Sequence, residues 1–307
     1  MSKVAIIGAG FVGSTAAYAM LIKNIANEIA LVDPSGKKAE GEAMDLGQGL
    51  QFMTGTKITY CEKFSMCGAA DIVIITAGAA QKPGETRLDL VNKNAAIFKE
   101  MIPEIAETAP DSIIMIVTNP VDIMTRIAIE YSGFPDSRVF GTGTTLDSAR
   151  FRYLLGKHYD VSPSSVHAYI VGEHGDSEFP VWSRANIGGV LLRDHAGHDP
   201  GVMEDIFKQT RGAAYEIISR KGATYYAIGM VIAQLTDAII RDKNEVFPVS
   251  VMLEDYYGES DVCLSIPAVI GRTGIKRKIP LPLDESEQKA LHGSASTLRD
   301  IHQNISV

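Results

Sequence analysis

The sequence contains very few cysteines. Only three cysteines occur among 307 residues, Cys61, Cys67 and Cys263, and their spacing does not resemble that of metal ligands. An odd count argues against a disulfide framework and favours a reducing compartment. We therefore expect a cytoplasmic protein and no metal site.

Long hydrophobic runs are also absent. Glycine, aspartate or lysine interrupts every apolar stretch before it reaches the ~20 residues that a membrane span needs. The chain passes from Met1-Ser2-Lys3 straight into an apolar segment, without the separate regions of a signal peptide. Neither a membrane span nor export is expected.

Positive charge is in deficit. The chain carries 29 Lys and Arg against 37 Asp and Glu, a formal net charge of -8. Such a balance attracts neither nucleic acid nor an anionic membrane, so we expect neither as a partner. An anionic substrate would have to be bound by particular cationic side chains.

Short apolar runs alternate with helix-like stretches over residues 1–141. The runs are Val4–Gly8, Glu28–Asp33, Asp71–Gly78, Ser112–Asn119 and Arg138–Gly141. Runs of this kind are typical of buried parallel strands, and helices are expected between them, notably at Phe11–Lys23 and Asn92–Ala109. The pattern predicts a doubly wound, Rossmann-type α/β sheet that binds a dinucleotide.

Residues 142–307 show a different pattern. The predicted elements are a helix at Thr145–Lys157, a strand at Val166–Gly172, a long helical region at Val202–Arg241, a strand pair at Val249–Leu253 and Val262–Val269, and a closing helix at Asp284–Asn304. The strand pair, separated by a short turn-forming segment, indicates an antiparallel hairpin. We interpret this half as a second, α+β domain that binds substrate and carries the catalytic residues.

A glycine-rich turn marks the expected cofactor site. Gly8, Gly10 and Gly13 form a Gly-x-Gly-x-x-Gly pattern between an apolar strand and a helix, the context in which this pattern binds a pyrophosphate. Asp33 ends the next strand, where its carboxylate would accept hydrogen bonds from ribose hydroxyls and repel a ribose phosphate. NAD is therefore preferred over NADP, although Lys37 and Lys38 are nearby.

Two further strand ends belong to the same expected site. Thr76-Ala77-Gly78-Ala79 and Val117-Thr118-Asn119-Pro120 each follow an apolar run. Ligands of open α/β sheets bind at the carboxyl ends of strands. These segments are expected to flank the nicotinamide and its ribose.

A histidine, an acid and an arginine form the candidate catalytic set. His174 lies between glycines in Gly172-Glu173-His174-Gly175, and it would need a carboxylate to fix its tautomer. Asp147 is the candidate partner, and Arg150, three residues further along the same helix face, could bind a substrate carboxylate. Arg87 follows the Pro-Gly tip of a candidate mobile loop and could stabilise charge that develops on a carbonyl.

Taken together, five segments closely resemble the lactate/malate dehydrogenase family, and the resemblance extends through essentially the whole chain. They are Gly8–Gly13, Thr76–Arg87, Thr118–Asp122, Leu146–Arg152 and Gly172–Ser177. Members of this family transfer a hydride between NADH and a 2-keto acid, so the resemblance implies an NAD-dependent oxidoreductase.

The resemblance also implies roles for individual residues. His174 would be the proton donor and acceptor, Asp147 its orienting partner and Arg150 the carboxylate anchor. Arg87 would polarise the carbonyl, and Asn119 would contact both substrate and cofactor. The positions that line the cofactor groove in such enzymes are matched by Val12, Asp33, Lys38, Gly78, Ala79, Val117 and Thr142.

Two residues indicate the lactate branch of the family. Gln81 stands where malate dehydrogenases carry an arginine, and a buried arginine would lack a partner beside the methyl group of pyruvate. Thr224 also resembles the lactate branch. The expected reaction is the interconversion of pyruvate and L-lactate in glycolysis and fermentation. A malate dehydrogenase and a non-catalytic NAD-binding regulator are the alternatives.

Arg152 and His167 match positions that bind a sugar bisphosphate in allosteric bacterial members of the family. Arg152 lies two residues from Arg150, roughly 200° around the helix, so it should face away from the active site. The resemblance therefore implies activation by fructose bisphosphate and assembly into a homotetramer.

Overall fold

The computed structural model describes residues 2–53, 55–79 and 87–305, with the side chain of residue 87 left out. Its strands are β1 (Lys3–Ile7), β2 (Glu28–Val32), β3 (Lys57–Cys61), β4 (Ile72–Ile75), β5 (Ile113–Ile116), β6 (Val139–Gly141), β7 (Val166–His167), β8 (Ile170–Val171), β9 (Phe179–Pro180), β10 (Asn186–Ile187), β11 (Val190–Leu191), β12 (Glu245–Met252), β13 (Cys263–Gly271) and β14 (Gly274–Lys278). Its α-helices are α1 (Phe11–Ile22), α2 (Gly36–Gln48), α3 (Arg87–Thr108), α4 (Val121–Ser132), α5 (Thr145–His158), α6 (Pro200–Lys221), α7 (Tyr226–Ile240) and α8 (Glu285–Gln303).

Nine of the strands in the described residues form one large sheet, in the order β14-β13-β12-β6-β5-β4-β1-β2-β3. The six strands from β3 to β6 are parallel, and their order 3-2-1-4-5-6 is that of a Rossmann fold. Side chains of β4 and β5 are buried on both faces, as parallel strands between helical layers require. The predicted doubly wound sheet is confirmed.

Two strands of this sheet, β3 and β14, were not predicted, and each lies at an edge. The edge strand β3 has the sequence KITYC, and its residues are exposed or only half-buried. An edge strand need not be continuously apolar, so β3 lacks the run by which the predicted strands were recognised.

The sheet continues beyond residue 141. The antiparallel hairpin of β12 and β13 is confirmed, with Met252 opposite Cys263, and β12 joins β6 through the pair Ser250 and Gly141. Three antiparallel strands of the second half thus extend the parallel sheet of the first. The division into domains 1–141 and 142–307 stays a prediction.

Two expected elements of the second half are interrupted. The predicted helical region Val202–Arg241 consists of two helices, because α6 ends at Lys221 and α7 starts at Tyr226. Gly222 has a left-handed φ of +83°, and its amide donates to the carbonyl of Ile218, which is a common way to end a helix. The predicted strand Val166–Gly172 consists of β7 and β8, which pair with β10 and β9 respectively.

The parallel strands all direct their carboxyl ends to one edge of the sheet. The first described residues after β1, β2, β4, β5 and β6 are Gly8, Asp33, Thr76, Val117 and Thr142. This edge therefore carries the predicted cofactor residues. Among the described helices, none has the length and apolar character that crossing a membrane requires.

Candidate active site

The glycines after β1 form a tightly packed turn with an open outer side. A Cβ on Gly13 would lie 2.0 Å from the carbonyl oxygen of Gly8, and a Cβ on Gly8 would lie 2.8 Å from the amide nitrogen of Ala77. By contrast, the nearest described atom to a Cβ on Gly10 would be Nζ of Lys38, at 3.8 Å. The turn therefore packs against the sheet through Gly8 and Gly13 and leaves Gly10 accessible.

The amino end of α1 is available to a phosphate group. Gly10 caps this helix without a side-chain hydrogen bond, and Val12 is half-buried in its first turn. Uncapped amides at a helix N-terminus, together with the helix dipole, attract phosphate. The exposed Lys38 adds a cation beside Gly10. The residues present therefore fit a dinucleotide pyrophosphate.

Asp33 is fixed at the end of β2. Its Oδ2 accepts a hydrogen bond from the amide of Ala9 over 2.8 Å, and its Oδ1 accepts one from the amide of Ser35 over 2.9 Å. The carboxylate thus lies next to the glycine turn, where the sequence places the adenosine ribose. Two backbone donors hold its orientation.

The ends of β4 and β5 are joined by Asn94 of α3, which sequence reasoning missed. The buried Asn94 accepts a hydrogen bond from the amide of Ala79 over 2.7 Å and donates one to the carbonyl of Asn119 over 2.8 Å. A Cβ on Gly78 would lie 2.4 Å from Cγ2 of Thr118. The two segments predicted to flank the nicotinamide therefore lie side by side.

The neighbouring strand ends complete this edge of the sheet. Val117 is half-buried, Asn119 is exposed, and Thr142 after β6 is buried. The amide of Thr142 donates to the carbonyl of Ile116, which holds the end of β6 beside β5. These placements agree with the predicted cofactor groove, and the individual roles stay predictions.

Asp147 connects the other two candidate catalytic residues. Its Oδ2 lies 2.6 Å from Nδ1 of His174, and its Oδ1 accepts a hydrogen bond from Nη1 of Arg150 over 2.9 Å. The side chain of Asp147 is only 4% exposed, whereas that of His174 is 27% exposed. Because Nδ1 is bound to the carboxylate, Nε2 is the ring nitrogen left for a ligand.

The charges of this group stabilise one another. Burial alone would raise the pKa of Asp147, but His174 and Arg150 outweigh it and lower that pKa. Burial alone would lower the pKa of His174, but the charge and hydrogen bond of Asp147 raise it to about 9. The histidine therefore holds a proton at neutral pH, as a proton donor requires.

The segment that carries His174 is held by buried polar contacts. Gly172 has a φ of +90°, and a Cβ there would lie 2.8 Å from Oγ of Ser294, so a larger residue does not fit. Oγ of Ser294 accepts a hydrogen bond from the amide of Glu173, and the amide of His174 donates to Oδ2 of Asp122 over 2.7 Å. Asp122 lies in α4 and is buried, and sequence reasoning gave it no role.

A cavity of about 380 Å³ opens onto His174. Its walls also include Asn119, Asp147 and Arg150, so the structure brings these four predicted residues together. A cavity of this size accommodates a small keto acid. The other described residues that line it are Leu90, Pro120, Gly175, Asp176, Glu178, Arg211, Ala214 and Tyr215.

Glu178 is a second buried acid of this cavity that sequence reasoning missed. Glu178, Asp147 and His174 each bring an oxygen or nitrogen within 4.8 Å of the others. A metal could in principle bind such a set, but the ring of His174 already bonds to Asp147, and Arg150 supplies a competing positive charge. We interpret the set as an acid–base group.

Three residues predicted for the substrate site are not placed at the cavity. Gln81 lies outside the described residues. Arg87 begins α3, and its side chain is likewise outside them. Thr224 is half-buried between α6 and α7 and is not among the described residues that line the cavity. Their roles stay predictions.

Arg152 and His167 lie close to each other. Nε of Arg152 donates to the carbonyl of Ala168 over 2.8 Å, one residue beyond the exposed His167. The guanidinium of Arg152 also stacks on the ring of Tyr169, with 4.8 Å to its centroid. Neither residue lines the cavity beside His174.

Known proteins resemble this chain over its full length. The family description "lactate/malate dehydrogenase, NAD binding domain" matches residues 2–141, and the "alpha/beta C-terminal domain" of the same family matches residues 144–306. An L-lactate dehydrogenase of Synechococcus sp. is 49% identical over 304 residues, covering 99% of each chain. One of Priestia megaterium is 50% identical over 302 residues, covering 97% of this chain and 94% of the relative.

A solved structure agrees equally well. The minor L-lactate dehydrogenase of Enterococcus mundtii superposes with a TM-score of 0.96 at 40% identity, covering 100% of this chain and 99% of the other.

These matches and the geometry of the site together define the class of protein. The chain is an NAD-dependent oxidoreductase that acts on 2-hydroxy acids. It belongs to the lactate/malate dehydrogenase family. The expectations of an NAD cofactor and an enzyme of this class are thus confirmed.

Proposed function

We propose that the protein is an L-lactate dehydrogenase, which reduces pyruvate to L-lactate and catalyses the reverse reaction. The main support is that His174 and Arg150 each bond to a different carboxylate oxygen of Asp147. All three residues line one small cavity. This arrangement offers a proton donor and a carboxylate binder side by side. A non-catalytic NAD-binding regulator would need neither.

Each residue has a defined task in this reaction. NADH, when bound, supplies the hydride. The guanidinium of Arg150 binds the substrate carboxylate, and Nε2 of His174 gives its proton to the carbonyl oxygen. Asp147 holds the ring of His174 in one orientation and stabilises its charged form. Asn119, exposed at the cavity wall, offers a polar side chain to the substrate, and Arg87 would polarise the carbonyl.

Gln81 supports pyruvate over oxaloacetate. Oxaloacetate carries a second carboxylate that a cation would bind, whereas glutamine offers only a neutral amide. The names of the relatives at about 50% identity agree with this choice. A malate dehydrogenase remains the second candidate.

Turnover of a panel of 2-keto acids tests the proposal. Oxidation of NADH is followed by its absorbance on mixing with pyruvate, oxaloacetate or longer 2-keto acids, and NADPH serves as the control cofactor. We expect the highest kcat/KM with NADH and pyruvate, and chiral analysis should find L-lactate. A higher kcat/KM with oxaloacetate would instead identify a malate dehydrogenase.

We also propose that fructose bisphosphate activates a homotetramer of this chain through Arg152 and His167. The support is their proximity to each other and their separation from the cavity. Two copies of each residue, brought together at a two-fold interface, would offer four cationic groups to two phosphates. Binding would shift the population towards the tightly associated state.

The measurement is the KM for pyruvate with and without fructose bisphosphate at two pH values. A protonated histidine binds phosphate more strongly than a neutral one, so activation should be stronger in mildly acidic solution. The drop in KM should disappear in Arg152→Leu. An unchanged wild-type KM at acidic pH would leave Arg152 and His167 without this role.

A further inference from the structure

Glu178 is a carboxyl group buried in the cavity wall without a full set of hydrogen-bond partners. The residue is 5% exposed, and its Oε1 is shielded from solvent with no hydrogen-bond partner among the described residues. Buried carboxylates normally accept several hydrogen bonds, because an ionised oxygen without donors is costly. Glu178 is therefore poorly solvated as an anion and better accommodated as a neutral acid.

The groups around Glu178 come from four elements. Asp147 and Arg150 belong to α5, and Arg211 belongs to α6. His174 and Asp176 belong to its own segment, and Asp122 of α4 lies at the backbone of His174.

Three cations lie near Glu178, but two of them, Arg150 and His174, are already bonded to Asp147, and only the charge of Arg211 remains to favour the ionised form. Asp147 already holds Arg150 and His174, so an ionised Glu178 would stand beside a second carboxylate whose cations are taken. Burial and the charge of Asp147 raise the pKa of Glu178 to about 8.

We propose that Glu178 is a proton-holding carboxyl of the substrate cavity, neutral when an anionic keto acid binds, whose ionisation opposes that binding. The inference rests on the proposed function. With Glu178 neutral, the ionised Asp147, His174 and Arg150 carry one net positive charge that attracts a carboxylate. With Glu178 ionised, that net charge is cancelled. Glu178 and Arg150 line the same cavity. A substrate carboxylate bound to Arg150 would therefore lie at short range from the negative charge of an ionised Glu178.

Equilibrium binding of oxamate, an anionic pyruvate analogue that is not reduced, tests this inference. Oxamate is titrated into the NADH-loaded enzyme between pH 6 and pH 9.5, and quenching of NADH fluorescence gives the dissociation constant. Wild type and Glu178→Gln should agree within about twofold at pH 6. Near pH 8.5 the wild type should bind up to about fourfold more weakly than Glu178→Gln, because most of Glu178 is then ionised whereas a neutral amide cannot ionise.

Three companion variants and measurements separate charge from structure. Glu204→Gln makes the same chemical change at an exposed site of α6 and should follow the wild-type profile. Glu178→Asp retains a titratable carboxyl and should keep the alkaline loss of affinity, even if Glu178→Gln folds poorly. Equal thermal unfolding midpoints of wild type and Glu178→Gln at pH 6 would show that the fold is intact.

The titration of His174 in the cofactor-free enzyme gives a readout that does not depend on the substrate. An ionised Glu178 raises the pKa of His174, so Glu178→Gln should lower the pKa measured for its ring by NMR. Superimposable oxamate profiles together with an unchanged His174 titration would overturn the inference. If the wild type does not reduce pyruvate, the proposed function fails instead, and the His174 titration still decides the role of Glu178.

Discussion

Nδ1 of His174 lies 2.6 Å from Oδ2 of Asp147, although the two residues are 27 positions apart in the chain. Asp147 belongs to α5, and His174 belongs to the segment between β8 and β9. The contact therefore depends on tertiary packing that holds the helix against this segment. Its geometry sets the tautomer of the ring and leaves Nε2 on the cavity side.

Asp147→Asn should lower kcat for pyruvate reduction by at least about a hundredfold, the range typical for a disrupted acid–base group. The amide keeps the shape but removes the charge that raises the pKa of His174. The alkaline limit of kcat/KM should also move to lower pH. Steady-state profiles from pH 5 to 10 measure both effects. Asp205→Asn, at an exposed site of α6, serves as the control. A wild-type profile in Asp147→Asn would refute the role of this carboxylate.

The direction of the reaction should determine the sign of its pH dependence. Reduction needs the protonated ring of His174, whose pKa is about 9, so its rate should fall as pH rises through that value. Oxidation of L-lactate needs the neutral ring, so its rate should rise over the same range. The pH profiles of kcat/KM in both directions provide the test, because kcat/KM reports the titration of the enzyme before substrate binds. Parallel pH profiles would show that His174 does not carry the transferred proton.

Arg150→Leu should raise KM for pyruvate by on the order of a hundredfold or more, because the substrate carboxylate loses its bidentate partner. Asp147 also loses a hydrogen bond, so kcat should fall as well. Arg150→Lys is the matched variant, since it keeps the charge without the fork-shaped donor. An intermediate KM in Arg150→Lys would support bidentate binding, whereas a wild-type KM in Arg150→Leu would exclude Arg150 as the anchor.

Asn94→Ala should weaken NADH binding and destabilise the fold. The variant leaves the amide of Ala79 and the carbonyl of Asn119 without their partner, and losing buried partners of this kind costs about 1–3 kcal/mol each. Thermal unfolding and fluorescence titration with NADH measure the two effects. Asn304→Ala, at an exposed residue near the C-terminus, is the control. An unchanged NADH affinity would mean that Asn94 does not shape the cofactor groove.

Gln81→Arg should shift preference from pyruvate towards oxaloacetate by orders of magnitude in kcat/KM. The introduced cation pairs with the second carboxylate of oxaloacetate and lacks a partner beside the methyl group of pyruvate. The ratio of the two kcat/KM values is the measured quantity. A ratio within a few-fold of wild type would show that another residue selects the substrate.

Much of the fold could be predicted from the sequence because its signals are local. Strands β1, β2, β4 and β5 are continuous apolar runs, and the glycine turn follows β1 directly. The pairing of His174 with Asp147 also followed from chemistry, since the histidine needed a carboxylate and one lay on the helix face that carries Arg150.

The residues that the sequence analysis missed act through contacts that form only in the folded protein. Asn94, Asp122 and Glu178 have no neighbouring residue in the sequence that reveals their role. Asn94 bridges two strand ends, and Asp122 bonds the amide of His174 from another helix. Glu178 matters through burial beside Asp147. Polar contacts of this kind depend on how distant elements pack together, so they cannot be predicted from the periodicity of the sequence.

The hydrogen bond between Nδ1 of His174 and Asp147 also determines from which side the ring can exchange a proton with solvent. That side of the ring faces the carboxylate of Asp147, which is only 4% exposed, so water reaches the ring through the cavity on the Nε2 side. A ligand that fills the cavity would block this route and would lie between the proton on Nε2 and the solvent. We therefore expect this proton to exchange with solvent more slowly in the complex than in the free enzyme.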